Sequence, residues 1–352
     1  MPLAPRGSEA PEPTLQDVLA ARNNLKGVVR RTPLWPLPLA LPGGHPLFVK
    51  PENLQAVGSF KIRGALNFLA SMTEADRQRG VVAHSSGNHA QGVAAAARHY
   101  GVAATIVIPE GAPQLKVDNT LALGAKVVRC ANNQDAREST ARAVAEDTGA
   151  TVVPPYDHPW IVAGQGTIGA EIVEDLPDVA NVIAPIGGGG LIAGVALAVR
   201  SLAPSAQVIG AEPELAADAH ESLAAGERRR WAADQVARTL ADGVRTQVIG
   251  ELNFRLMQRL LAGVVRVDEA RIEANVGWYA SRAKLVVEPT GTLSLGALQR
   301  LVEDGEVDGV RLAPGPTVVV VSGGNLDHAL LAQLVGRVAA AGREDYPGSS
   351  DH

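Results

Sequence analysis

One cysteine, Cys130, is present among 352 residues. An internal disulfide and a thiolate zinc cluster are therefore excluded, and a reducing, cytoplasmic setting is expected. Cys130 itself reads as a small apolar residue ending a strand. Long hydrophobic runs are missing as well. The aliphatic stretches fall far short of the ~18–20 residues that cross a bilayer, so no membrane span is expected. There is no basic surplus: 32 Lys+Arg against 37 Asp+Glu leave a net charge of -5, and aromatics make up 3%. Without a basic patch interleaved with aromatics, nucleic acid is not an expected partner. Lysine is scarce, six of the 32 basic residues, and the excess of Arg and Ala is a compositional bias. Neither G-x-S-x-G nor H-E-x-x-H occurs, which disfavours serine-hydrolase and zincin chemistry. His45, His99, His158, His220, His328 and His352 show no mutual metal-ligand spacing, and His84 reads as a strand end. Residues 1–13 are rich in Pro and lack an apolar segment, so they read as a flexible arm and not a secretory signal. Residues 343–352 read as a flexible tail.

What is present is enough apolar residue, 46%, for sizeable cores, in a chain longer than the ~250–300 residues at which one core usually stops growing. Two domains are expected. Short β-branched runs alternate with Ala-rich helical segments, the pattern of βαβ units and parallel sheets, so the fold class is α/β. The expected strands are 80–84, 104–108, 125–130, 150–153, 181–186, 207–211 and 317–321. Helical spacing marks 89–100, 134–147, 190–202, 269–284 and 326–341 among others. Four strands cluster between 80 and 153, which assigns 80–157 to a small domain, and 14–79 with 158–342 to a larger one.

Three turns stand out where strands end: Ser85-Ser86-Gly87-Asn88-His89, Gly187-Gly188-Gly189-Gly190 and Ser322-Gly323-Gly324-Asn325. Ligands of open α/β sheets bind outside the carboxyl ends of the strands, so these turns point to one cleft. Four glycines ahead of a helix can present N–H groups to a phosphate without Cβ obstruction; a flexible hinge is the other reading. Lys61 lies between Phe60 and Ile62. A partly apolar pocket there lowers a lysine pKa and yields a nucleophilic amine able to condense with an aldehyde, whereas a lysine taken alone is ordinarily solvated. In the loop from Glu212 to Asp218, two carboxylates flanking backbone carbonyls offer hard oxygen ligands to Mg2+ or Ca2+, and a solvated acidic loop is the alternative. The lack of His and Cys argues against zinc.

Taken in order, Ser59-Phe60-Lys61-Ile62-Arg63-Gly64-Ala65, Ser86-Gly87-Asn88-His89, the tetraglycine, Glu288-Pro289-Thr290 and Ser322-Gly323-Gly324-Asn325 resemble the fold type II pyridoxal-phosphate enzymes of the serine/threonine dehydratase and serine racemase family. The match spans residues 15–335. The resemblance implies the tryptophan synthase β-like arrangement of two open, mostly parallel twisted sheets flanked by helices, a pyridoxal 5'-phosphate cofactor and a homodimer. It implies that Lys61 holds the cofactor and acts as the base at the substrate Cα. Phe60 would pack on the pyridine ring, Asn88 would bond the phenolic oxygen, and Gly187, Gly188, Gly189, Gly190 and Leu191 would bind the phosphate. Glu288 joins the cofactor contacts. Ser322 would meet the pyridine nitrogen with a neutral hydroxyl, which does not enforce a pyridinium and lets elimination compete. Ser85, Ser86, Gly87, Asn88 and His89 would bind the substrate carboxylate. Arg137 falls near an arginine that racemase-like relatives use to reach a substrate's side-chain carboxylate. Members with a metal use Glu, an Ala carbonyl and Asp at the spacing of Glu212, Ala216 and Asp218.

The implied reaction is dehydration and deamination of L-threonine or L-serine to a 2-oxo acid and ammonia. Serine racemisation or threo-3-hydroxyaspartate dehydration is the alternative, because Ser86 matches the acid/base that racemases place opposite the lysine. A non-catalytic cofactor-binding protein would need no amine at Lys61. The added regulatory domain of biosynthetic threonine dehydratases is not seen in the sequence, so isoleucine feedback is not expected. Pro154-Pro155-Tyr156-Asp157-His158 departs from the His-Pro usual ahead of Gly164-Gln165-Gly166-Thr167.

Overall fold

The computed structural model describes residues 11–340 apart from Ser86 and Pro113. Among the described residues, ten strands form two sheets. The larger is built from β1 (Trp35–Pro36), β2 (Leu47–Pro51), β7 (Asn181–Pro185), β8 (Gln207–Pro213), β9 (Gly263–Val267) and β10 (Thr317–Val321), in the order β1-β2-β10-β7-β8-β9. All its pairings are parallel except β1 with β2. The smaller is wholly parallel and holds β3 (Val81–His84), β4 (Ala104–Pro109), β5 (Lys126–Cys130) and β6 (Thr151–Val152), in the order β5-β4-β3-β6.

Parallel sheets carry helices on both faces, so their central strands must be apolar throughout. Every residue of β7 and of β10 is buried. The two-residue side-chain period then divides them between two cores. Ile183, Val319 and Val321 pack with Val49, Ile209 and Leu295 on one face, while Val182, Ala184, Val318 and Val320 pack with Ile192, Val195 and Ile168 on the other. The smaller sheet is split the same way, Val81, Ala83, Ile106 and Ile108 facing one core and Val82 and Val107 another. The helix Lys61–Ser71 joins the first of these through Ile62, Leu66 and Leu69, where they meet Val93 and Ala97 of the helix Asn88–Tyr100. The helix Pro159–Asp175 is buried from Ile161 to Val173.

The expected strands are present with ends moved by one or two residues. The helix expected over 269–284 is α-helical only over Glu269–Trp278, followed by a π-helical turn at Tyr279–Ala283. Residues 11–13 belong to the stretch expected as an arm, and there Glu12 pairs with Arg255 and Arg259. The tail 343–352 lies outside the described residues. No helix among the described residues is long and apolar enough to cross a membrane.

Candidate active site

The strand ends converge as the turn chemistry implies. Ser322 follows β10, Gly187 follows β7 by one residue, and Ser85 follows β3. Phe60 N–H donates to the Ser322 carbonyl at 3.0 Å, and Ser59 bridges Gly323, so the start of the Lys61 helix is sewn to the end of β10. A side chain at Gly92 would meet the Lys61 carbonyl carbon at 3.0 Å, and one at Gly164 the Arg63 carbonyl at 2.7 Å. The two neighbouring helices can close on this helix start only because they carry glycine there.

One cavity is lined by Phe60, Lys61, Tyr156, Gly187 to Leu191, Thr290 and Ser322. Lys61 Nζ donates to the Pro155 carbonyl at 2.7 Å and lies 5.3 Å from the Phe60 ring centre. Burial without a carboxylate partner pushes its pKa down to about 8. The Ser322 hydroxyl is buried and has no hydrogen-bond partner. Gly189 adopts φ +90° ahead of the helix Gly190–Leu202, a conformation glycine takes without strain. A side chain at Gly188 would strike the Tyr156 ring at 2.2 Å. An amine, a glycine cradle at a helix N-terminus and an orphaned hydroxyl therefore share one cavity, and these are the groups a phosphorylated pyridine aldehyde needs. A wider cleft lined by Arg200, Arg259 and Arg311 sits at the start of β8, away from these groups.

Asn88 opens the helix Asn88–Tyr100 and crosses to the other sheet. Its Nδ2 donates to Glu288 Oε1 at 2.7 Å, and its Oδ1 accepts from Asn325 Nδ2 at 2.8 Å. Glu288 also accepts from Asn325 N–H at 3.1 Å. Burial, reinforced by the charge of Asp242, raises the Glu288 pKa to about 8 against the lowering pull of these donors. Ser85 Oγ accepts from Gly87 N–H at 3.1 Å. The ring of His89 is turned away to the Val153 carbonyl, at 3.0 Å, and burial holds its pKa near 3, so only its backbone is offered to the turn. Ser86 lies outside the described residues. Arg137 does not line the cavity. It bonds Asn132 at 2.9 Å, its Nε is buried without a partner, and its charge is felt by His84 at the end of β3.

At the end of β8, Glu212 accepts N–H bonds from Ala219 and His220, both at 2.9 Å, while both carboxylate oxygens of the buried Asp218 have no partner. Burial pushes both pKa values up, that of Asp218 to about 7, and Asp218 adds to the rise at Glu212. Ala216 is buried beside them, whereas Glu214 is exposed and meets Arg300 at 3.4 Å. No cluster of three or more His, Cys, Asp or Glu side chains exists among the described residues, so any cation here draws on two carboxylates and backbone carbonyls.

Sequence reasoning missed the charged core behind Lys61. Arg63, two residues on from Lys61, is fully buried. It makes two bonds of 2.8 Å to Glu52 and bonds of 2.7 and 2.9 Å to Glu171. Lys50, also fully buried, donates to Glu171 and to the Thr32 carbonyl, each at 2.6 Å. Two cations meet two anions, so the cluster is neutral as a whole.

A family model described as pyridoxal-phosphate dependent enzyme matches residues 25–325. The L-threonine ammonia-lyase of Thermotoga maritima is 41% identical over 95% of this chain and 81% of its own length. The L-threo-3-hydroxyaspartate ammonia-lyase of Saccharomyces cerevisiae is 38% identical over 95% and 98%. The solved serine racemase of Dictyostelium discoideum superposes with a TM-score of 0.80 at 33% identity, over 90% of this chain and 99% of that one. With these likenesses laid over the same amine, cradle and hydroxyl, the chain belongs to the fold type II pyridoxal-phosphate dependent enzymes, within the serine/threonine dehydratase and serine racemase family.

Proposed function

We propose that this PLP-dependent lyase eliminates water from a small β-hydroxy amino acid, L-threonine or L-serine, and releases ammonia when the product is hydrolysed, leaving a 2-oxo acid. The reading is carried by the meeting of Lys61, with its depressed pKa, and the unpartnered hydroxyl of Ser322 in one cavity. The cofactor, when bound, supplies the electron sink for a carbanion at the substrate Cα. Lys61 Nζ takes the Cα proton, and the β-hydroxyl leaves as water with a proton returned by the Lys61 ammonium. The resulting enamine is hydrolysed to the oxo acid and ammonia. A pKa near neutrality suits an amine that must both receive and release a proton. Ser322 offers a neutral hydroxyl where other electron-sink sites use a carboxylate, which favours elimination over long-lived carbanions. Backbone N–H groups of Gly87, Asn88 and His89, at a helix start, suit the substrate carboxylate. Gly187 to Leu191 suit the cofactor phosphate, and Phe60 the pyridine face.

Threo-3-hydroxyaspartate is the second substrate, supported by the likeness to the L-threo-3-hydroxyaspartate ammonia-lyases; Arg137, the candidate partner for its side-chain carboxylate, stands outside the cavity lining. Serine racemisation requires Ser86 as a second acid/base on the face opposite Lys61. Glu212, Asp218 and the Ala216 carbonyl suit Mg2+ or Ca2+, because the orphaned Asp218 oxygens and the raised pKa values describe a site short of positive charge. A reducing, cytoplasmic setting is supported by the single cysteine, buried Cys130, and a homodimer by the family resemblance alone.

The test is a screen of L-serine, D-serine, L-threonine and threo-3-hydroxyaspartate that reads both oxo acid and enantiomer, repeated with Ser86→Ala. Oxo acid from L-threonine or L-serine that survives Ser86→Ala is the expected result. Enantiomer exchange without oxo acid, lost in the variant, would replace the lyase reading by the racemase one.

A further inference from the structure

Asn253 is fully buried in the helix Glu251–Leu260, behind the glycine loop and outside the cavity lining. Its Nδ2 donates to the Gly188 carbonyl at 2.7 Å and to the Tyr156 carbonyl at 3.3 Å. Both neighbours are acceptors, which fixes the amide with its nitrogen toward the loop. Gly250 N–H donates to the same Gly188 carbonyl at 3.1 Å. Asn253 is itself held in place: Asp157 accepts from the N–H groups of Glu251, Leu252 and Asn253 at 2.9, 3.1 and 3.4 Å, capping the helix that carries it.

The Gly188–Gly189 peptide is trans, so a carbonyl pulled toward Asn253 sends the Gly189 N–H to the opposite side, away from that helix, and Gly189 lines the cavity. Without that pull, the longer bond from Gly250 N–H alone holds the carbonyl, and a glycine pair has no side chain to resist turning the peptide over, which would aim a carbonyl dipole where an anion must sit. We propose that Asn253 is a positioning residue for cofactor binding: by holding the Gly188 carbonyl it keeps the glycine loop in its phosphate-accepting orientation. The inference rests on the assignment of Gly187 to Gly190 to the cofactor phosphate, and it is independent of the substrate.

The experiment measures the dissociation constants of pyridoxal 5'-phosphate and of pyridoxal, which lacks the phosphate, by absorbance titration of the stripped protein. Wild type, Asn253→Leu and Gly189→Asp are compared, with the 31P shift of the bound phosphate as a second reading. Asn253→Leu is expected to weaken pyridoxal 5'-phosphate by on the order of tenfold, the scale of one lost hydrogen bond. It should leave pyridoxal unchanged and move the 31P signal. Equal weakening of both ligands would show a general packing role and overturn the inference, as would unchanged affinity with an unmoved 31P signal. If Gly189→Asp also fails to weaken pyridoxal 5'-phosphate, the phosphate assignment falls; if only Asn253→Leu has no effect, the present inference alone falls. Should Asn253→Leu not fold, Asn253→Ser, whose hydroxyl is too short to reach the carbonyl, is held to the same criteria.

Discussion

Lys61 Nζ and the Pro155 carbonyl meet at 2.7 Å, tying the amine to the segment that leaves the smaller sheet after β6. That single acceptor carries no formal charge, so nothing opposes the effect of burial on the amine. Replacing Lys61 by Ala is expected to abolish the visible absorbance of the protein incubated with pyridoxal 5'-phosphate and to cut oxo-acid formation by roughly a thousandfold, the scale of a lost general base. Activity within tenfold of wild type would contradict the role given to this residue.

Arg63 serves both carboxylates of the neutral cluster beneath the site. Arg63→Met strands Glu52 and Glu171 with only Lys50 to compensate, and urea unfolding should show a loss of about 3–5 kcal/mol. Adding Glu52→Gln to that variant should recover part of the loss by removing an uncompensated charge. A single-variant loss under about 1 kcal/mol, the worth of an exposed pair, would mean that the cluster is not dry.

Glu288 gives a pH signature. Its folded pKa, about 8, lies above the ordinary carboxyl value of 4.5. The proton it retains therefore favours the folded state fully below about pH 4.5, and the benefit is lost as pH rises toward 8, at up to about 1.4 kcal/mol per pH unit. Wild type should thus lose stability relative to Glu288→Gln between pH 5 and pH 8.5. A difference between the two melting temperatures that does not change with pH would rule this out.

The carboxylate pair at the end of β8 predicts a response to chelation. Removing divalent ions should lower the melting temperature, and Mg2+ or Ca2+ should restore it, since an ion bound only by the folded chain stabilises it by mass action. Asp218→Asn should abolish the response, whereas Glu214→Gln, at the exposed residue beside Arg300, should keep it. A chelator-insensitive protein would return this loop to a plain acidic turn.

Much of this arrangement could be read from the chain. β7 and β10 carry the apolar runs Val182–Ala184 and Val318–Val321, and the turns after them carry their chemistry in Gly and Ser, so both strand and site were visible locally. β2 escaped because it contains Lys50 and ends on Pro51, and β9 because Arg266 breaks its apolar run. The helix Pro159–Asp175 is buried on every side and so lacks the one-sided period that betrays a helix. The charged core was invisible for a different reason. Glu171 lies 121 residues from Lys50 and 108 from Arg63, and nothing near Arg63 marks it as buried. Asn253 likewise acts on Gly188 from 65 residues away.

The strand order of the larger sheet also fixes a timetable. β10, made last, lies between β2, made early, and β7, so the centre of that sheet stays open until residues 317–321 are available. The smaller sheet draws all its strands from residues 81–152 and can close long before. During synthesis, then, the half that carries Asn88 is ready while the half that carries Ser322 still waits. Pairings this distant in sequence carry a larger loop-closure cost than any in the smaller sheet.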